Sequence, residues 1–242
     1  MHKLPRLSLV ALTASALLAT LGASATAHAT APGDGPGARG VCRNGHVALT
    51  FDDGPAESTP RLLEALTANR LRATMFNTGS NAAARPDLVR AQTAAGMWVG
   101  NHSYTHPHMT QLPADQAYAE IADTQRVLTG ILGTAPALFR PPYGETNDQL
   151  REQQRQLGLT EVLWTVDSRD WAGASAEEIV AAAATLRPGG IMLLHDWSAD
   201  TLAAIPGIAK VLRTKGLCTG RIVPSAPSGE DGAAPQAVVV KP

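Results

Sequence analysis

The stretch VALTFDDGP, residues 47–55, sets a short apolar run, Val47–Phe51, directly against two adjacent acids and a Gly-Pro turn. The run reads as a strand and the acids as its carboxyl end. Similar runs recur downstream at Thr74–Phe76, Trp98–Asn101, Leu138–Arg140, Glu161–Val166 and Ile191–Leu194. Between them, amphipathic stretches at Thr59–Asn69, Pro86–Ala95, Ala114–Leu132, Asn147–Leu157, Ala176–Leu186 and Thr201–Lys215 read as helices. Ser58 and Ser175 stand where N-caps are expected, and Gly96, Gly133, Gly158 and Gly216 follow helix ends. Such βα alternation predicts an α/β fold with a parallel sheet, either a barrel or a doubly wound sheet. A dinucleotide-binding sheet loses its main support, because no G-x-G-x-x-G follows the first strand. No internal repeat is visible.

Polar residues gather where these strands end. Asp52-Asp53 follows the first, His102 the third, Arg140 closes the fourth, Asp167 and Asp170 follow the fifth, and His195-Asp196 the sixth. In a parallel barrel the site is built at the carboxyl ends of the strands, so separate segments would deliver acids and bases to one face. Neighbouring side chains on extended backbone point apart, so one of Asp52 and Asp53 can bind a metal while the other faces a water; two solvated acids in an Asp-Gly turn remain the alternative. His102 and His106 are spaced i, i+4 and share a face if a single helical turn opens from the loop, although Pro107 is awkward for any longer helix. Two His and one Asp leave positions for water and substrate, the pattern of a catalytic divalent site. His108 cannot share that face and reads as a surface residue. Pro141 and Pro142 lack an N–H, so Tyr143 offers the first free backbone donor after Arg140, which can orient a carboxylate bidentately. Asp167-Ser168-Arg169-Asp170-Trp171 pairs acids with an aromatic ring, and Leu193-Leu194-His195 ends a buried strand on a titratable ring.

The rest of the chain bounds the reading. Of 242 residues, 20 are Lys or Arg and 21 Asp or Glu, a balance without the basic excess that a nucleic-acid binder needs. With 44% hydrophobic and 17% charged residues the chain can bury a core. Residues 1–29 read as a secretory signal: Lys3 and Arg6, an apolar stretch Leu7–Ala19, then Ala27-His28-Ala29 as a small-x-small cleavage site. A retained membrane anchor is the alternative, but the apolar run falls short of the roughly 20 residues that span a bilayer. Thr30–Gly40 reads as a linker and Pro224–Pro242 as a disordered tail, leaving a domain over 41–223. Cys42 and Cys218, at its two ends, suggest a disulfide that ties the termini in an oxidising compartment. A secreted monomer, free of the membrane once the signal is removed, is expected.

Taken together, T-F-D-D-G-P (Thr50–Pro55), H-S-x-x-H (His102–His106), R-P-P-Y (Arg140–Tyr143), D-x-x-D-W (Asp167–Trp171) and L-x-H (Leu193–His195) occur in this order. The chain resembles the polysaccharide deacetylases of carbohydrate esterase family 4, which share the NodB homology domain, over about Gly45 to Gly216. The text around the motifs is most similar to the secreted acetylxylan esterases of actinobacteria. The resemblance implies a distorted (β/α) barrel of about seven strands. It implies that Asp53, His102 and His106 hold one divalent ion, usually zinc with cobalt plausible, and that Asp52 is the general base, oriented by Arg140. It further implies that the Tyr143 N–H stabilises an oxyanion, that His195 is the general acid oriented by Asp170, and that Trp171 and Leu193 wall a pocket for the acetyl methyl. The substrate would be an acetylated polysaccharide, O-acetyl xylan first and N-acetylglucosamine polymers (chitin, chito-oligosaccharides, peptidoglycan) second. A non-catalytic sugar-binding module on the same fold should lack Asp52 or His195, and both are present. A glycosidase leaves the His pair unexplained.

Overall fold

The computed structural model describes residues 42–224 and 238–242, so the readings placed on residues 1–29, 30–40 and 225–237 lie outside the described residues. Seven parallel strands, β1 (His46–Gly54), β2 (Ala73–Asn77), β3 (Trp98–Asn101), β4 (Leu138–Phe139), β5 (Thr160–Glu161), β6 (Val166–Asp167) and β7 (Ile191–His195), form one sheet. Their order, β5-β4-β3-β2-β1-β7-β6, puts the first strand near the centre, and the sheet curls into a half-barrel. Helices α1 (Thr59–Ala68), α2 (Gly79–Ala84), α3 (Pro86–Ala94), α4 (Ala114–Leu132), α5 (Asp148–Gln156), α6 (Ala176–Ala184) and α7 (Ala199–Lys215) connect the strands. Among the described residues no helix is long and apolar enough to cross a membrane.

Strand periodicity decides which side chains reach the site. Side chains alternate between faces, and in β1 the set Val47, Leu49 and Phe51 packs outward with Leu62 and Leu66 of α1 and Ile205 and Ile208 of α7 in the largest apolar cluster. The alternate set Ala48, Thr50 and Asp52 therefore faces the interior of the half-barrel, and Ala48 joins Phe76, Leu138, Val162 and Ile191 in a separate cluster there. The β1–β7 register stacks this interior in layers: Ala48 opposite Ile191, Thr50 opposite Leu193, Asp52 opposite His195. The lowest layer is thus apolar and the top layer ionisable. Gly100 belongs to the same interior, since a Cβ there would come within 2.5 Å of the Phe76 ring.

The expected single strand Glu161–Val166 is instead two, β5 and β6, separated by Val162–Thr165. They pair with opposite edges of the sheet, β5 with β4 and β6 with β7. The chain itself, rather than a ladder of hydrogen bonds, crosses the open seam, and no helix intervenes, so the alternation seen in the sequence fails at this point. Arg140 fills the space inside: its Nε donates to the Val162 carbonyl at 3.1 Å and one NH1 bond reaches Thr50 Oγ1 at 2.7 Å. Its guanidinium lies 4.4 Å from the centre of the Phe76 ring.

Three smaller corrections concern the elements. Ser58 makes no capping bond; its hydroxyl donates to Asp196 Oδ1 at 3.3 Å, whereas Ser175 forms a capping box with Glu178. The short helix α2 was not expected, because its Gly-Ser-Asn-Ala-Ala-Ala text has no apolar face to read. The tail reading fails at its far end. Val238–Lys241 pairs antiparallel with Arg221–Pro224, as strands β10 and β9, placing Val239 opposite Val223 and Val240 opposite Ile222. A run of β-branched residues there outweighs the Pro- and Ala-rich text before it. Cys218, in strand β8 (Cys218–Thr219), lies beside His46 and is bonded to Cys42, as expected.

Candidate active site

The acids after β1 are separated by backbone geometry. The register with β2 shifts between Asp52 and Gly54, and Asp53, the residue skipped, adopts a left-handed φ of 67°. Asn81 of α2 holds that turn, its Nδ2 donating to the Asp53 carbonyl at 2.8 Å. Gly54 permits the close approach of the neighbouring chain, since a Cβ would lie 2.6 Å from Asp196 Oδ2. Asp52 consequently keeps its inward aim and accepts from Arg140 NH1 through Oδ1 at 2.8 Å. Asp53 swings toward the two histidines, with Oδ1 at 3.6 Å from His102 Nε2 and 3.5 Å from His106 Nε2.

The histidines meet without a helical turn. Residues 102–108 form a bend in which Ser103 and His106 both have left-handed φ, 61° each. Pro107 disfavours a helical conformation at His106, and the loop finds other partners for its backbone. Glu120 of α4 accepts from the N–H of Tyr104 and of Thr105, each at 2.7 Å, and Ser103 Oγ accepts from the His106 N–H at 3.1 Å. The rings end with centroids 4.9 Å apart. His102 Nδ1 lies 2.7 Å from the Arg140 carbonyl, which can only accept. Nδ1 therefore carries the proton, and Nε2 turns its lone pair to Asp53.

Asp53, His102 and His106 fit a divalent cation by the chemistry of their donors. Their ligand atoms lie within 4.8 Å of one another. Asp53 Oδ1 is buried with no hydrogen-bond partner, a state that costs free energy unless a cation or water satisfies it. Burial acts to raise the Asp53 carboxyl, but its electrostatic interaction with His102, the Trp197 N–H bond and its interactions with His106 and His195 outweigh it and hold the group below the ordinary carboxylate range. Burial and the neighbouring His102 push His106 below the usual histidine value, toward the neutral ring that ligation requires.

On the other side of the pocket His195 Nδ1 lies 2.7 Å from Asp170 Oδ1. Asp170 is further held by the backbone N–H of His195 at 2.8 Å, the N–H of Trp171 at 2.8 Å and the Thr201 hydroxyl. Burial would raise Asp170, yet its bonds with His195 and Thr201 keep it below the carboxylate range. Burial likewise acts to lower His195, while the Asp170 bond and charge win and raise it above the ordinary histidine value. A ring whose proton affinity is raised in this way keeps its proton more readily and can present Nε2–H to the pocket as a donor.

The intervening cavity, of about 310 Å³, is lined by Asp52, Asp53, both ligand histidines, Tyr143, Trp171, Leu193 and His195. Arg140 and Asp170 stand behind it, fully buried or nearly so. Every candidate residue thus converges on one site. His108 does not: it is exposed, pairs with Glu145 and stacks on the Tyr143 ring at 4.1 Å. Sequence reading passed over Pro141, Trp164 and Trp197 as lining residues, whereas Asp167, expected at a strand end on this face, is among them. A tryptophan two residues after a candidate acid was the available signal for Trp197. Trp164 carried none, being buried in the text mistaken for one strand.

A family model described as polysaccharide deacetylase matches residues 40–162. A bifunctional xylanase/xylan deacetylase from Cellvibrio japonicus is 46% identical over 184 residues, which is 75% of this chain and 28% of that protein. A peptidoglycan-N-acetylglucosamine deacetylase from Listeria monocytogenes is 36% identical over 72% of this chain and 37% of its own length. The chain therefore spans well under half of these relatives. A solved structure of a family 4 carbohydrate esterase from Streptomyces lividans, in complex with acetate, is 60% identical with a TM-score of 0.73, covering 74% of this chain and 94% of that one. The ordered motifs, the half-barrel and these matches agree: the chain belongs to the polysaccharide deacetylase family, in carbohydrate esterase family 4.

Proposed function

We propose that this chain is a secreted, metal-dependent esterase that removes O-acetyl groups from xylan as a monomer. The observation that carries the reading is the opposition, across one cavity, of an unpartnered Asp53 Oδ1 between two histidines and a hydrogen-bonded His195–Asp170 pair. Asp53, His102 and His106 would hold the ion, zinc first and cobalt second. A divalent ion supplies polarisation of the acetyl carbonyl and acidification of a water. Asp52, with Oδ1 fixed by Arg140, takes the proton of the attacking water on its other oxygen. The Tyr143 backbone N–H stabilises the negative charge that develops on the acetyl oxygen. His195 donates its Nε2 proton to the departing sugar oxygen, and Asp170 holds the ring for that transfer and offsets its charge. Trp171 and Leu193 enclose the methyl group. Secretion is supported by the Cys42–Cys218 bond, which persists in oxidising compartments, and by the signal-like text of residues 1–29.

Ester specificity is supported by the Streptomyces esterase and the Cellvibrio xylan deacetylase. The Listeria relative favours a second reading, hydrolysis of N-acetyl amides. Acetate release from acetylated xylan and from chito-oligosaccharide, measured side by side, separates them. We expect faster turnover of acetylxylan, and faster turnover of the chito-oligosaccharide would reverse the substrate assignment. An amide nitrogen must be protonated before it leaves, so His195→Ala should abolish amide hydrolysis while sparing an activated aryl acetate.

A further inference from the structure

We propose that Trp197 is a positioning residue for the metal-binding carboxylate: its indole N–H ties down Asp53 Oδ2 and so presents Oδ1 to the ion. The inference rests on the metal-centre reading above and concerns how that centre is held in shape. Nε1 donates to Oδ2 at 3.0 Å, while Oδ1 has no partner and faces both histidine Nε2 atoms. Asp53 needs such a tether. It sits at a register shift with left-handed φ, outside the regular ladder that aims Asp52, and its carboxylate can otherwise rotate to offer either oxygen.

The tether is itself held in place. Past the end of β7 the Asp196 N–H still donates to the Asp52 carbonyl at 3.1 Å, carrying the pairing of the two strands one residue further. The Asp196 side chain is buried and accepts from Thr59 Oγ1 at 2.6 Å. Trp197 therefore leaves an anchored backbone at the level of Asp53. Packing does not account for the indole, which is 48% exposed at the mouth of the site. Its polar contact is directed at the metal-binding carboxylate, and its ring is tilted by 40° against His195 with centroids 5.3 Å apart. Hydrogen-bond partners of metal ligands typically contribute 10- to 100-fold in affinity by fixing ligand orientation.

Zn2+ affinity of the full chain, measured by chelator competition without substrate, tests the proposal directly. The comparison is between the native protein, Trp197→Phe, and a protein in which the indole is replaced by its benzothiophene isostere, which keeps the shape and loses the N–H. About 10- to 100-fold weaker binding in both variants is expected. Native affinity in either variant overturns the proposal. A raised KM for polysaccharide in both variants with unchanged Zn2+ affinity also overturns it and makes the ring a sugar-stacking surface instead. Failure of the native protein to bind Zn2+ strikes at the metal-centre reading rather than at the tether alone.

Discussion

Asp52 and Asp53 are chemically identical neighbours whose surroundings assign them different work. One aims inward to a buried guanidinium and the other, turned by a left-handed φ, aims at two imidazoles. Asp53→Ala should lose bound metal, measured by elemental analysis after dialysis. Asp52→Asn should keep its metal and lose about 10²- to 10⁴-fold in turnover, the usual contribution of a positioned base. Equal metal loss in both would mean the roles had been exchanged. At His195 the sign follows from the raised proton affinity. A general acid works only while protonated, so turnover falls as pH rises through its value in the folded enzyme. Removing the carboxylate in Asp170→Asn deletes the largest contributions that raise it and leaves burial, which lowers it, opposed only by the weaker pull of Asp52 and Asp53. The alkaline limb of the kcat–pH profile should move to lower pH in that variant, and an unmoved limb would separate His195 from the limb.

Among the elements, the seam between β5 and β6 is the unusual one. No ladder closes it, and the Val162 carbonyl is met by Arg140, which also reaches Thr50 and Asp52. This single side chain joins the open edge to the central strand beneath the catalytic layer. Breaking a buried ion pair from one side leaves the other charge uncompensated, at a cost of about 3–5 kcal/mol. Arg140→Met, similar in length and apolar, should therefore lower the free energy of unfolding in urea by about that amount, besides lowering turnover. A loss below about 1 kcal/mol, the range of exposed pairs, would show that the seam does not depend on the guanidinium.

For the whole molecule, chemistry and covalent stabilisation lie at opposite ends of the half-barrel. Cys218 adjoins His46 at the amino end of β1, whereas Asp52 is at the carboxyl end. Six residue steps along the strand separate His46 from Asp52, roughly 20 Å at the usual rise per residue. A disulfide closing so long a loop typically contributes about 2–5 kcal/mol. Cys42→Ser with Cys218→Ser should lower the unfolding temperature markedly while the folded protein retains its kcat and metal affinity at moderate temperature. A large drop in kcat below the new unfolding transition would show that the two ends are coupled.

Much of this was legible in the text because it is local. Apolar runs ending in acids, histidines and an arginine marked strands and their carboxyl ends, and cysteines at the domain edges marked a bond that forms. The segments that share a site were also legible, since in a parallel sheet every such end faces the same way. The rest depends on contacts between residues far apart in the chain. Glu161–Val166 looks like one strand, and only pairing with both sheet edges splits it in two. His102 and His106 meet across a bend rather than a helical turn because Glu120, from a helix that follows, satisfies the loop backbone. Trp197 reaches Asp53 only because β7 lies against β1. Which residues stand at strand ends is a matter of local pattern and can be read from the chain; which way each one points is set by distant partners that the local pattern does not contain.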